Sequence, residues 1–479
     1  MRAHFVVFIA LIVIGVGCSK HFPNEPLPNQ LPETFLSLVP DDSLRSTTSQ
    51  QHLQWWGVDP DGFVKGYYIS FDSLQWTYTT SNDSLMGLKL NIQDTTYRFF
   101  VTAVDDEGAL DPTPASLRYP IHNTPPVVSF VSKSDVPDTT FTVATFQWFG
   151  SDIDGNETIT NYLYVLDDTS KPWSSLSGDY NKVTLKKSDG LTEGRHTFYL
   201  RARDVSGSYS KTIRMPDTTN PVTPTATWYV KEPQGDFLIV DDYGPADGVS
   251  DKPTAFYQQM FDTLMGGKFQ ARDVWDIKAG YNATTRGKYV PALINPTFSE
   301  TIKLFKYIFW YSDNDPQMAI LQAAIPEFQR AGGKIMFSTG FTQYPADARG
   351  FGDFAPVENI EQSYFAPQLF AFDKDSLVAV DASYPKLTFN NTIFTSYSYP
   401  RGLLPKVSAR ILYQMGKTTR AANTVWIARD TIPIIMGVKD ADQASFVMLA
   451  VLLHRFSGAP NNVPALLRRV FQGEFGVQP

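Results

Sequence analysis

The chain has 479 residues, a formal net charge of −8 at pH 7, 43% apolar residues and 19% charged residues. That length is too great for one hydrophobic core, so about two to four domains are expected, and the composition is that of folded domains and not of a disordered chain. The acidic balance, with no run of Lys and Arg, excludes nucleic acid as an expected partner.

The N-terminus predicts a signal peptide followed by a lipid anchor. An apolar run over Phe5–Val16 is too short to span a bilayer stably, and it is followed by Gly17 and Cys18. This pattern resembles the lipobox of bacterial lipoproteins. The resemblance implies a signal peptide over residues 1–17 and a lipid on Cys18. An ordinary secretory signal with an incidental cysteine is the alternative.

Cys18 is the only cysteine, so the chain cannot form an internal disulfide. Ser19 after it implies, by the same resemblance, transport to the outer membrane of the cell envelope. Residues 18–33 are rich in Pro and Asn without an apolar period, which predicts a tether. The predicted partners are a membrane, reached through the lipid, and an envelope protein or a glycan.

The first half contains two related segments. Residues 54–62 (QWWGVDPDG) correspond to residues 147–155 (QWFGSDIDG), and residues 99–105 (FFVTAVD) correspond to residues 198–204 (FYLRARD). The two segments are offset by roughly one hundred residues, which is the length of one immunoglobulin-like sandwich.

A Trp on an inner strand that faces an aromatic later strand resembles the core of fibronectin type III and related domains. The resemblance implies two all-β, immunoglobulin-like sandwiches, over residues 34–122 and 123–232, and is a poor guide to function. Linkers rich in Pro and Thr, at 123–126 and 217–224, predict that residues 234–479 fold on their own.

Each repeat carries an Asp-x-Asp-Gly loop, with Asp59 and Asp61 in the first copy and Asp152 and Asp154 in the second. Paired carboxylates on a tight turn make these residues calcium candidates. The alternative is a turn between strands, which favours Asp and Gly for backbone reasons.

Residues 234–479 predict an α/β domain with a mainly parallel, flavodoxin-like or amidotransferase-like sheet, because apolar strands alternate with helical patterns. The predicted strands and helices are a strand at Phe237–Val240, a helix with Phe256, Met260 and Leu264 on one face, strands at Gln270–Ile277 and Lys306–Ser312, a helix from Met318 to Phe328 that Pro326 kinks or splits, strands at Lys334–Phe337, Thr424–Ala428 and Pro433–Gly437, and a terminal helix from Ala441 to Phe456.

The order strand, helix, strand and then GGKIMFSTGF resembles the class I glutamine amidotransferase-like fold, including its degenerate members. In the active members a cysteine nucleophile stands at an elbow that here falls at Ser338 or Thr339, with Met336 two residues before Ser338. No cysteine occurs in this domain and its only histidine is His454, so the resemblance implies that the thiol chemistry is absent. Ser338 stays a weak candidate for the nucleophile position, and no catalytic residue is assigned.

Four carboxylates follow predicted neighbouring strands, at Asp241, Asp242, Asp313 and Asp315. Because ligands sit beyond the carboxyl ends of strands in an open α/β sheet, these residues are candidates for holding a cation or the hydroxyls of a sugar. The alternative is that they cap helices and form turns.

Two functions follow from these patterns. The first is a non-catalytic envelope lipoprotein whose sandwiches present a ligand- or partner-binding α/β domain. The second is a hydrolase, directed at glycans or esters, that uses Ser338 or a metal at the Asp cluster. No cofactor is predicted for either.

Overall fold

The computed structural model describes residues 28–37, 50–87, 95–121, 123–131, 139–218, 226–244, 253–278, 296–362, 377–394, 400–415 and 434–479. The described residues up to Thr124, together with Ile153–Gly155, form one compact unit. The described residues from Pro125 onward, without Ile153–Gly155, form a second unit.

The first repeat is a β-sandwich of a three-stranded and a four-stranded sheet. Its strands are β1 (Glu33–Leu36), β2 (Gln50–Val58), β3 (Val64–Ser70), β4 (Thr77–Thr79), β5 (Asp83–Gly87), β6 (Thr95–Asp105) and β7 (Ala115–Ile121). The sheets have the orders β1-β2-β5 and β4-β3-β6-β7, with antiparallel pairing. Trp55 on β2 is buried against Phe99 on β6, with ring centroids 5.5 Å apart, as expected for a Trp on an inner strand.

The second repeat builds the same kind of sandwich. Its strands are β8 (Val127–Phe130), β9 (Thr139–Thr140), β10 (Val143–Ser151), β11 (Ile159–Leu166), β12 (Ser174–Ser177), β13 (Lys182–Lys186), β14 (Gly194–His196), β15 (Phe198–Asp204), β16 (Ile213–Met215) and β17 (Trp228–Val230). The sheets have the orders β13-β10-β8, β12-β11-β15-β16 and β14-β17-β9. Trp148 and Phe146 on β10 are buried inside, and Phe146 stacks on Phe198 of β15 with centroids 3.8 Å apart. The two predicted all-β modules are therefore confirmed as β-sandwiches.

The second half contains an eight-stranded sheet with a few helices. Its elements are β18 (Phe237–Asp242), α1 (Thr254–Thr263), β19 (Arg272–Asp276), α2 (Pro296–Ile302), β20 (Tyr307–Ser312), α3 (Met318–Arg330), β21 (Lys334–Ser338), β22 (Val357–Ile360), β23 (Leu377–Ala379), β24 (Leu403–Pro405), β25 (Arg410–Met415), β26 (Ile435–Lys439), β27 (Phe446–Leu449) and α4 (Asn462–Arg468). Short 3₁₀ turns lie at Leu264–Gly267, Ala348–Asp353 and Leu453–Phe456, and a π-helical turn at Arg469–Glu474 follows α4.

The order of the large sheet is β19-β18-β20-β21-β27-β26-β25-β23. The five strands from β19 to β27 pair in parallel, and the three from β26 to β23 add antiparallel to them. All six residues of β18 are buried, because helices and loops cover both faces of a parallel sheet. The carboxyl ends of β18, β19 and β20 therefore meet at one edge of the sheet.

The structure differs from the predictions at two helices. The terminal helix predicted from Ala441 to Phe456 is instead the buried strand β27 followed by the 3₁₀ turn at Leu453–Phe456. A short apolar run fits a buried strand as well as a helix, and here its backbone pairs with β21 and β26. Pro326 lies inside α3, which runs as one helix from Met318 to Arg330, so the predicted split is wrong and the predicted kink stays a prediction. The strand predicted at Thr424–Ala428 lies outside the described residues.

The second sandwich packs on the α/β sheet and shares its hydrophobic core. Phe141 of the sandwich belongs to the core cluster of the second half, and its ring centroid lies 5.3 Å from that of Phe305 and 5.9 Å from that of Trp275. The Nζ atom of Lys231 lies 2.9 Å from the buried Oδ1 of Asp273. The expectation that residues 234–479 fold on their own is thereby revised, because part of their core comes from the sandwich before them.

Replacing Phe141 by Ala is expected to lower the free energy of unfolding by about 3–5 kcal/mol, because a buried aromatic ring is lost and a cavity remains. Urea denaturation of the whole chain measures this effect. Phe149→Ala is the matched control: it removes the same ring from β10, where Phe149 is 62% exposed, and should change the stability by less than about 0.5 kcal/mol. Equal losses in the two variants would show that Phe141 does not join the two cores.

Candidate functional site

The predicted acidic residues converge at the carboxyl edge of the parallel strands. Asp241 pairs in register with Tyr311 and Asp242 with Ser312, so Asp313 follows directly beside the end of β18. The topology therefore brings the first three predicted residues to one edge of the sheet, with the carboxylates of Asp242 and Asp313 on one side of β18 and that of Asp241 on the other. Asp315 also lies at this edge, but its side chain is exposed.

Asp242 is fully buried and holds two elements in place. Its Oδ2 atom accepts hydrogen bonds from Nε1 of Trp310 at 3.1 Å and from the backbone N–H of Gln317 at 2.9 Å. Gln317 is the residue before α3, so Asp242 supplies an acceptor at the start of that helix. Asp315, one of the residues expected to cap a helix in the alternative interpretation, lies two residues before Gln317, whose own side chain makes no capping hydrogen bond.

A lysine that the sequence analysis did not identify lies among these carboxylates. Lys278 follows β19, the neighbour of β18, and its Nζ atom lies 2.6 Å from Oδ1 of Asp313 and 3.9 Å from Oδ1 of Asp242. The same ammonium donates a hydrogen bond to the backbone carbonyl of Asp315. The positive charge of Lys278 therefore compensates part of the negative charge of this cluster. The signal that was available is the position of Lys278, two residues after the end of a strand that pairs with β18.

Asp313 connects the loops that follow β18 and β20. Its Oδ2 atom accepts the backbone N–H of Gly244 at 2.7 Å, and its Oδ1 atom accepts that of Asp315 at 2.9 Å. A side chain at position 244 would place its Cβ atom 2.9 Å from Oδ2 of Asp313, so glycine permits this close approach.

Asp241 points to the opposite side of β18 and is also hydrogen-bonded. Its Oδ1 atom accepts the N–H of Tyr243 at 3.1 Å, and its Oδ2 atom accepts the hydroxyl of Thr254 at 2.7 Å. The hydroxyl of Tyr311 donates to the same Thr254 oxygen at 3.2 Å. Burial, reinforced by the charge of Asp241, raises the pKa of Tyr311 well above its ordinary value, which keeps this hydroxyl a donor.

Ser338 is a structural hydroxyl in this fold. It is 1% exposed, its Oγ atom donates to the carbonyl of Val451 at 2.8 Å, and the same atom accepts the N–H of Leu453 at 3.3 Å. Thr339 is equally buried, and its hydroxyl donates to the carbonyl of Asp313 at 2.7 Å. Both candidate nucleophile positions are therefore used to connect β21 to neighbouring loops.

His454 lies on the 3₁₀ turn after β27 and is 5% exposed. Aromatic rings surround it, with the ring centroids of Tyr243 and Phe394 each 5.8 Å away. Its backbone N–H donates to the hydroxyl of Tyr257 at 3.1 Å. This environment packs the imidazole between the α1 side of the sheet and the loop that contains Phe394.

The carboxylates of the Asp-x-Asp-Gly loops accept hydrogen bonds from the protein, two of them from residues about thirty positions earlier in the chain. In the first copy, the carboxylate of Asp61 accepts the N–H of Gln30 at 3.1 Å, and Oδ1 of Asp59 accepts the N–H of Asp61 at 3.4 Å. In the second copy, Oδ2 of Asp152 accepts the hydroxyl of Thr158 at 2.8 Å.

Oδ2 of Asp154 likewise accepts the N–H of Thr124, at 2.6 Å. No group of three or more His, Cys, Asp and Glu residues within the described ranges is arranged to hold a metal ion. Of these bonds, only the one from the N–H of Asp61 to Asp59 closes a local turn, so both interpretations of the loops stay predictions.

Cys18 and the predicted signal peptide lie outside the described residues. Within the part of the chain that the structure describes, no helix has the length and apolar character needed to cross a membrane.

Comparisons with known proteins find similarity only among solved structures. The fibronectin type III-like modules of Clostridium thermocellum CbhA match at 14% identity over 42% of this chain and 95% of theirs, with a TM-score of 0.18. A two-domain fibronectin type III segment of chicken tenascin matches at 15% identity over 39% of this chain and 97% of its own, with a TM-score of 0.22. The FN1–FN3 domains of chicken CNTN1 match at 14% identity over 43% and 68% of the two chains, with a TM-score of 0.21.

Likenesses with TM-scores this low carry no argument about this chain. No family model matches the sequence. No curated protein matches it either.

Burial away from water raises the pKa of Asp242 to about 8, and the charge of Lys278 only partly opposes this effect. The ordinary pKa of an aspartate is near 4. Between about pH 4 and pH 8, Asp242 in the folded protein therefore holds a proton that the same residue has lost in the unfolded chain. Raising the pH across this window favours unfolding, whereas below about 4 both states are protonated and the effect disappears.

Asp242→Asn cannot lose this proton, and its amide oxygen can still accept from Trp310 and Gln317. We expect the pH slope of its unfolding free energy between pH 5 and 7 to be smaller than that of the wild type by up to about 1.4 kcal/mol per pH unit. Chemical denaturation at several pH values measures the slope. Asp315→Asn removes the same charge from an exposed site and should keep the wild-type slope. A wild-type slope in both variants would mean that Asp242 is ionised in the fold.

Proposed function

We propose that this chain is a non-catalytic lipoprotein of the bacterial cell envelope. In this proposal Cys18 is the lipidated residue, the two sandwiches form a stalk, and the α/β domain binds a ligand or a partner protein. The lipobox-like sequence Gly17-Cys18 supports the anchor, and Ser19 after it supports the outer-membrane location.

The hydrogen bonding of Ser338 is the observation that carries the non-catalytic part of the proposal. A nucleophilic hydroxyl needs access to substrate and an adjacent base. The Ser338 oxygen instead donates to Val451 and accepts from Leu453 inside the core. Attack on a substrate would break both bonds in a region without solvent exposure.

We also propose that the second half is a degenerate relative of class I glutamine amidotransferase-like domains. The parallel pairing of β18, β20 and β21 and the position of Ser338 at the end of β21 support this relationship. Because the domain contains no cysteine, such a relative would keep the sheet and lose the thiol. Its carboxyl edge, with the exposed Asp315 and the partly exposed Asp313, is then the surface available for binding.

The hydrolase alternative requires a catalytic group at this edge. Asp241 and Asp242 are both fully buried, and Lys278 binds Asp313. These side chains stabilise the loops around the sheet, and none of their contacts favours hydrolysis over binding.

Ser338→Ala tests the structural role of this hydroxyl. We expect a loss of about 1–3 kcal/mol in the free energy of unfolding, because the carbonyl of Val451 and the N–H of Leu453 lose a buried partner. Purified wild type should not hydrolyse glutamine or ester substrates. Ser408→Ala, at an exposed position, is the control for stability. Wild-type turnover that disappears in Ser338→Ala would contradict the proposal.

Cys18→Ala tests the anchor separately. In cells fed a labelled fatty acid, wild type should carry the label and sediment with the outer membrane, and the variant should lose both properties, since a single thiol accepts the lipid. Ser19→Ala keeps the thiol and should stay lipidated. Membrane association and labelling that persist in Cys18→Ala would rule out lipidation at this residue.

A further inference from the structure

A groove lies on the outer face of the sheet β12-β11-β15-β16 in the second sandwich. It has a volume of about 470 Å³ and is lined by Thr169, Trp173, Tyr199, Arg201, Thr212 and Arg214. Along β15 the residues alternate, with Phe198, Leu200 and Ala202 buried in the core and Tyr199, Arg201 and Arg203 on the opposite face. We call this feature the arginine groove. Its volume is within the range of small-ligand sites.

Arg201 is held between two aromatic rings. Its Cζ atom lies 4.3 Å from the ring centroid of Trp173 and 4.1 Å from that of Tyr209, which is the geometry of a cation–π contact on both sides. The indole of Trp173 is itself fixed, because its Nε1 atom donates to the carbonyl of Thr169 at 3.1 Å. The guanidinium is therefore oriented before any ligand arrives.

The guanidinium of Arg201 has no acceptor from the described protein. A guanidinium carries five N–H donors, and within the described ranges none of those of Arg201 reaches a hydrogen-bond acceptor or a carboxylate. Its Nε atom is enclosed without a partner. A fixed cation with unused donors at the floor of a groove suits an anionic group with two acceptor oxygens.

A second arginine lines the same groove. Arg214 on β16 pairs in register with Tyr199 on β15, and its Cζ atom lies 5.6 Å from the Tyr199 ring centroid. Its guanidinium donates to the hydroxyl of Thr197 at 3.2 Å and to the carbonyl of Ala226. Two guanidinium groups thus line this groove, in a chain whose net charge is −8.

The first sandwich shows that the fold does not require these arginines. Thr102 in β6 stands where the second copy has Arg201, as the correspondence of residues 99–105 with 198–204 shows. Ser116 pairs with Phe100 in the way that Arg214 pairs with Tyr199.

One of the two aromatic side chains beside Arg201 also differs between the copies. Leu110 makes the strand bridge that Tyr209 makes in the second copy. Trp76 corresponds to Trp173, with the same indole bond to a carbonyl three or four residues earlier. The second copy therefore adds a clamped cation to a scaffold that folds without one.

We propose that the arginine groove binds an acidic sugar, that is, a pyranose unit of a polysaccharide that carries a carboxylate or a sulfate. The oxyanion would take the unused donors of Arg201, and the exposed hydroxyls of Thr169 and Thr212 on the rim would bond ring hydroxyls. Because the groove is open, it can accept a sugar unit inside a polysaccharide as well as a sugar unit at its end. This site lies in the second sandwich, apart from the α/β edge, so it stands whether or not the proposed function of that edge holds.

Isothermal titration of the purified protein tests this proposal with three probes: an alginate oligosaccharide, a sulfated heparin oligosaccharide and a neutral dextran oligosaccharide. We expect one or both acidic probes to bind and the dextran not to bind. The comparison of alginate with heparin distinguishes carboxylate from sulfate. Binding of dextran equal to that of the acidic probes, or no binding of any probe at millimolar concentration, would overturn the proposal.

Arg201→Thr places the residue of the first copy in the groove and should weaken binding of the acidic probe by about tenfold or more, because a charge-assisted bidentate contact is lost. Arg98→Thr is the matched control. Arg98 is exposed on β6 of the first sandwich, with its Cζ atom 4.9 Å from the Phe100 ring centroid, so the same change in charge should leave the affinity unchanged.

Thr212→Glu is a second test that does not touch the Arg201 clamp. It adds a carboxylate to the exposed rim and should also weaken the acidic probe by about tenfold through like-charge repulsion. Equal weakening by Arg98→Thr would show a non-specific charge effect. Unchanged affinity in both groove variants would place the site elsewhere, and binding of a phosphopeptide in the absence of glycan binding would show the wrong class of ligand. Each of these three results would overturn the proposal.

Discussion

The burial of β18 on both faces is the constraint on which the second half of the structure depends. This strand carries four apolar residues into the sheet and then places two carboxyl groups, Asp241 and Asp242, where water does not reach them. A buried carboxyl group must be hydrogen-bonded, paired or protonated. The loops after β18, β19 and β20 are arranged around that requirement.

The two carboxyl groups find their hydrogen-bond partners on opposite sides of the strand. On one side, Asp242 accepts from Trp310 and from the start of α3, while Lys278 from the end of β19 approaches it and binds Asp313. On the other side, Asp241 accepts from Thr254 at the start of α1. One pair of adjacent residues therefore positions the beginnings of two helices. A site with this much internal bonding has a structural role first, and its exposed part is limited to the outer loop residues.

The two sandwiches illustrate how one scaffold acquires different surfaces. Both copies bury a Trp on the second long strand and an aromatic residue on the facing strand, which satisfies the same core. The outward-facing positions of these strands do not contribute to the core, because alternate residues of a strand point to opposite faces. In the second copy these positions hold Arg201 and its aromatic clamp, and elsewhere this sandwich contributes Phe141 to the core of the next domain. The second sandwich thus combines a packing role with a candidate binding surface.

The sequence by itself determined the local architecture. The repeat of the Gln-Trp-aromatic-Gly segment predicted two sandwiches, and Phe237–Val240 and Lys306–Ser312 predicted neighbouring strands that end in acidic residues. These features depend on periodicity and on turn chemistry, which short stretches of chain specify. The likeness of the second half to amidotransferase domains is still a prediction that rests on the sequence.

Tertiary structure alone decided what the acidic residues contact. Lys278 lies thirty-five residues before Asp313 in sequence and reaches it only because β19 and β20 flank β18 in parallel. The same holds for Ser338, whose partners Val451 and Leu453 come from the far end of the chain, and for β27, which is a strand because β21 and β26 offer it hydrogen-bonding edges. Strand order sets these long-range contacts, and no local pattern encodes it, since an apolar run or a charged side chain is compatible with several neighbours until the sheet assembles.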